Sequence, residues 1–288
     1  MQSASPFLHS TMGSALLAGI ATLATSMVCA APSSADELLA GVASNGRLVL
    51  FSSADPSDVE VVQVHGLQSG ERILGLDTRP ATGELYALGS TSRLYTLDPV
   101  TGVASAVGSM PFSPALSGTA FGFDFNPTVD RIRIVSDTGQ NLRAHPDSGV
   151  IAVVDVSLAY AMGDSGFGAT PAVAAAAYTN NDTNPETGTT LYDIDAAREA
   201  LVTQSPPNGG KLNTVGALGV SLEAVGGFDI AGSDGTAYAG LVKTTPANGN
   251  NQRTILFTID LTTGAATKVG KIGGPKLLGS LTALGSMD

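Results

Sequence analysis

Three aspartates occupy one place in a repeating pattern. Gly75, Gly122 and Gly227 are each followed two residues later by an acid, at Asp77, Asp124 and Asp229. In the two other copies of the pattern this alignment puts Tyr178 and Leu281 in the same slot. Carboxylates gathered from neighbouring strands are a donor set for Ca²⁺, which takes roughly six to eight oxygens. The repetition equally fits a plainer role, in which each acid accepts backbone N–H bonds at a strand bend. A second polar group accompanies the first. Arg79 and Asn126 lie two residues beyond Asp77 and Asp124, Asn180 matches Asn126 in the next copy, and Arg131, Arg133 and Arg143 follow on adjacent segments. Residues two apart on a strand share a face. The group could therefore clamp an anionic ligand. It could also pair internally, with the acidic set and with Asp130 and Asp137.

Other chemistries find little support. The stretch from Tyr178 to Asp195 is rich in oxygen donors but lacks the spacing of a Ca²⁺-binding helical loop, so it reads as a solvated turn. Beyond residue 30 only His65 and His145 remain, too few for a three-histidine metal site, and no cysteine is left as a nucleophile. No nucleophile elbow or strand–helix phosphate loop is present. Paired carboxylates for glycoside hydrolysis could come from the aspartate set, but Trp is absent and sugar platforms commonly need aromatic rings. The net charge of −11 excludes the clustered Lys and Arg of a nucleic-acid surface.

Short strands must position these residues. Thirty-five glycines are dispersed through the 288 residues, and Gly or Pro interrupts every window long enough for a stable helix. From 73 to 109 the chain reads ILGLDTRP, GELYALGS, RLYTLDPVTG and ASAVGS, four β-rich segments separated by turn clusters. The same order recurs in 120–155, 173–216 and 226–272, and third segments begin at Leu94, Leu142, Leu201 and Leu256. Steps of 48, 59 and 55 residues fit propeller blades with insertions. Residues 37–66 supply three segments without a first, and 277–284, LLGSLTAL, supply a first without the rest. The expectation is an all-β, five-bladed β-propeller of four-stranded blades over 37–284. The C-terminal strand joins the N-terminal strands and closes the ring, which removes exposed edges.

Residues 1–35 contain no Asp, Glu, Lys or Arg, and 12–30 are apolar or small and end in Val28-Cys29-Ala30. This predicts a signal peptide over 1–30, cleaved after Ala30 or Ala35, although the first residues lack the usual basic charge. The mature chain is then exported, periplasmic or extracellular, without a stable membrane anchor, and monomeric.

The strings GFDFNPTVDRIRIVSDTGQNLRAHPDSG, ATPAVAAAAYTNN, LVTQSPPNGGKLNTVGALGV and LFTIDLTTGAATKVG resemble the secreted bacterial family called domain of unknown function 4394, over Leu38 to Leu284. The resemblance implies export and carries no catalytic residues. The resulting functional expectation is a ligand-binding or scaffold module, its partner a small molecule or an envelope protein. The alternative is a metal-assisted hydrolase at the central channel, with Asp77, Asp124 and Asp229 holding Ca²⁺.

Overall fold

The computed structural model describes residues 36–244 and 252–287. The expected signal peptide and its cleavage sites lie outside them. Five antiparallel sheets form the blades of a propeller. From the channel outward, blade 1 is Leu278–Ser286, Glu37–Ala43, Arg47–Ser52 and Val59–Gln63. Blade 2 runs from Ile73–Thr78 to Ala104–Val107, blade 3 from Phe121–Asn126 to Ile151–Val154, and blade 5 from Leu222–Ile230 to Ala266–Lys271. Blade 4 spans Val173–Tyr178, Leu191–Asp195, Ala200–Gln204 and Lys211–Ala217. It departs from the expected four strands, because Ala159–Tyr160 adds a short fifth strand parallel to Lys211–Ala217. Two residues are too few to show a period in the sequence. Among the described residues the single helical element is one 3₁₀ turn, Pro207–Gly209.

The ring closes as the matching ends predicted. Leu278–Ser286 pairs antiparallel with Glu37–Ala43, from Glu37 opposite Ser286 to Ala43 opposite Leu278. The core lies between blades. One apolar cluster fills each junction, for example Tyr86, Phe123, Phe125, Ile132 and Ile134 between blades 2 and 3. Alternation decides which neighbour each inner-strand residue meets: Leu76, Phe123, Ala176, Phe228 and Leu281 face the preceding blade, and the next residue in each strand faces the following one. The repeated glycines have a shared physical reason. A Cβ on Gly75 would stand 2.4 Å from Phe123 Cβ, one on Gly122 2.7 Å from the Ala176 backbone nitrogen, and one on Gly227 2.1 Å from the Leu281 nitrogen. Inner strands approach one another there more closely than any side chain permits.

Candidate functional site

The aspartates of blades 2, 3 and 5 meet in one layer across the channel. Oxygens of Asp77, Asp124 and Asp229 all lie within 4.8 Å of one another, and each residue is less than 5% exposed. Each also bridges to the following blade: Phe125 N donates to Asp77 Oδ2 at 2.6 Å, Tyr178 N to Asp124 Oδ1 at 2.9 Å and Ala283 N to Asp229 Oδ2 at 2.7 Å. These bonds correct the alignment. Phe125 follows Asp124, so the matching slots are Ala177, before Tyr178, and Thr282, before Ala283. Tyr178 and Leu281 occupy the opposite face. Where no acid precedes around the ring, the aspartate turns to its own strand: Ile230 N donates to Asp229 Oδ1 and Thr78 N to Asp77 Oδ1. Thr282 Oγ1 lies 2.9 Å from Asp229 Oδ2 and 3.2 Å from Asp77 Oδ1, so its single proton serves one or the other.

Burial raises the pKa of all three acids. Desolvation is the main cause; the charge of Asp229 adds to it at Asp77, and the charges of Asp77 and Asp229 at Asp124. Asp229 is pushed up to about 6. Asp229 also raises Asp124 as a close neighbour, since two carboxylates can hydrogen-bond only with one of them protonated. Like charges this close in a buried layer disfavour full ionisation of the three acids.

The second polar group does not assemble into one site. Arg79 is paired with Asp130 and, at 2.7 Å, with Asp147. Arg133 is 2% exposed and donates to Asn141, Asp155 and Asn208, while Arg143 grips the same Asp155 with two bonds. Arg131 donates to the Asp130 carbonyl. Asn126 accepts from the Thr128 amide and hydroxyl, and Asn180 ties down Thr187 and Gly188 in the oxygen-rich turn. All six stabilise turns and blade junctions. Of the expected internal partners Asp130 holds, whereas Asp137 binds Thr119 instead.

Two features escaped sequence reasoning. Asp193 in the second strand of blade 4 is fully buried with no hydrogen bond to either oxygen, and desolvation pushes its carboxyl up to about 8. The other is a cavity of about 500 Å³ at the channel mouth where all five inner strands begin. Its wall is mainly apolar, including Val42, Ile73, Phe121, Val225 and Leu278. Four inner strands carry a β-bulge there. Leu74, Ala174, Glu223 and Gly279 have no ladder partner, and all four line the cavity. Bulges re-aim side chains and cluster beside functional sites. Below the mouth, between Gly75, Gly122 and Gly227, the channel narrows to a void of about 10 Å³, room for one water at most. The mouth and the acid layer are therefore separate compartments.

A family model described as domain of unknown function, DUF4394, matches residues 47–282. No curated protein matches the chain. Among solved structures, a protein of unknown function from Bacteroides thetaiotaomicron is 14% identical over 89% of this chain and 66% of its own length, with a TM-score of 0.51. Myxococcus xanthus glutaminyl cyclase is 14% identical over 75% of this chain and 84% of its own, with a TM-score of 0.45. An engineered GH43 glycoside hydrolase with endo-xylanase and exo-arabinofuranosidase activity is 13% identical over 80% and 49%, with a TM-score of 0.49. Identities this low speak to the fold alone.

Proposed function

The chain belongs to the DUF4394 family of unknown function, and from that premise we propose that it is an exported ligand-binding module, periplasmic or extracellular, whose ligand is a small molecule held at the channel mouth. The observation that carries this reading is the 500 Å³ cavity where five inner strands converge. Ligand sites are concave, mostly apolar and furnished with a few placed polar groups, and bulged strands supply such groups on a rigid ring. The test is binding of an environment-sensitive apolar fluorophore to the purified protein. Ala224 is exposed on the cavity wall, so Ala224→Trp fills the cavity without disturbing a core. It should abolish fluorophore binding and leave the melting temperature unchanged. Equal binding by both proteins rules out the mouth. Export is tested by N-terminal sequencing of the protein recovered outside the cytoplasm, which should begin at Ala31 or Asp36.

A second reading, the metal-assisted hydrolase, has the convergence of three carboxylates in its favour. Against it, those carboxylates already accept backbone hydrogen bonds, and the narrow void separates them from the mouth. Ca²⁺ bound there would stabilise the native state by mass action, about 2.7 kcal/mol at a hundredfold excess over its dissociation constant. Asp124→Asn would remove that stabilisation. An unchanged melting temperature across divalent ions eliminates this reading.

A further inference from the structure

The mouth cavity carries two charged side chains of opposite sign. Arg72 immediately precedes the inner strand of blade 2, and Glu223 is the bulged residue of the inner strand of blade 5. Those two strands flank the inner strand of blade 1 on either side. Both side chains are exposed, and neither has a hydrogen-bond or ion-pair partner among the described residues. Arg79, Arg133 and Arg143 are all bound by carboxylates, and the buried acids are mostly held by backbone donors. Glu223 is also the only bulged rim residue with a charge, the others being Leu74, Ala174 and Gly279.

We propose that the cavity selects a small zwitterion whose two charges lie at opposite ends of an apolar body. The inference rests on the mouth as the binding site and deepens it. The apolar wall takes the body, the Arg72 guanidinium takes an anionic end such as a carboxylate, and the Glu223 carboxylate takes an ammonium end. An α-zwitterion carries its charges side by side, whereas Arg72 and Glu223 stand on blades separated by blade 1. A purely apolar ligand leaves both groups in water and gains nothing from them. Specificity is then a difference of affinities set at the rim, because each pair is partly solvated and contributes modestly.

The probes are octanoate, octylamine and the ω-amino acid of the same chain length, titrated calorimetrically into the protein. The ω-amino acid should bind about fivefold more tightly than either singly charged probe, the gain expected of one exposed ion pair. In Arg72→Gln its advantage over octylamine should vanish, and in Glu223→Gln its advantage over octanoate should vanish. Both variants change exposed side chains, and an unchanged melting temperature confirms the fold. If the three probes bind alike, or if the variants leave their ranking intact, the zwitterion assignment is wrong while the mouth remains a binding site. If no probe binds but the apolar fluorophore does, the ligand class again fails alone. If the fluorophore also fails to bind, the reading of the mouth fails with it.

Discussion

The acid layer of the channel and the junction between blades 3 and 4 both bury aspartate completely, with opposite results. In the channel, Asp77, Asp124 and Asp229 each accept a backbone N–H from the following blade. At the junction, Asp193 accepts none. Burial is the same, so position decides. The inner strand of every blade is an edge strand, and its channel side offers N–H groups that no ladder uses. Leu191–Asp195 lies between two strands of its own sheet. Its main-chain donors already serve the two ladders, and nothing is left for a carboxylate on its face. An acid is a useful connector where an edge must be satisfied and a liability in the interior of a sheet.

The comparison can be broken most forcefully at Asp229. Asp229→Ala strands the Ala283 and Ile230 amides, and should cost about 3 kcal/mol or more in urea unfolding. A cost below 1 kcal/mol would show that the bridges do not hold the ring. At Asp193 the sign should reverse. Its carboxyl titrates near 8 in the folded protein, well above an ordinary aspartate. The folded state therefore holds a proton that the unfolded state releases. The associated stability is complete below about pH 4 and is lost as pH rises to about 8. Asp193→Leu removes the unpaired group and should raise stability at pH 8 by about 2 kcal/mol, with little gain at pH 4. A loss at both pH values would mean that Asp193 has a partner in solution. The smallest effect is expected from Asp124→Asn. The amide keeps an acceptor for Tyr178 N and adds a donor toward Asp229, so stability at pH 5 should change by less than about 1 kcal/mol. The loss of stability as pH rises through about 6, where Asp229 titrates, should become shallower. An unaltered slope would show that Asp124 and Asp229 do not share a proton.

The blades were legible because turn clusters and apolar alternation recur at a fixed spacing, and the closure because 277–284 lacked partners that 37–66 could supply. The slot assignments failed in blade 4, whose inner strand has no glycine, and in blade 1, where Gly279 is the bulged residue and stands one position before the slot of Gly75. A better marker was the large apolar residue before each acid, since Leu76, Phe123 and Phe228 align with Leu281 and so point to Thr282. The arginines looked like a group because Arg131 and Arg133 alternate onto one face. The partners of Arg133, Asp155 and Asn208, lie far along the chain, and strand periodicity says nothing about them. The bulges that shape the mouth were illegible for a similar reason: an extra residue is visible only against the strand it fails to pair with.

Pairing the last strand with the first also imposes an order on synthesis. Glu37–Ala43 leaves the ribosome early, but its channel-side partner, Leu278–Ser286, is made some 240 residues later. At about 5–20 residues per second that delay is roughly 12 to 50 s. Throughout it the nascent chain presents an apolar strand with an open edge and cannot complete blade 1. The finished ring hides this edge, but the cell must guard it while the protein is being made.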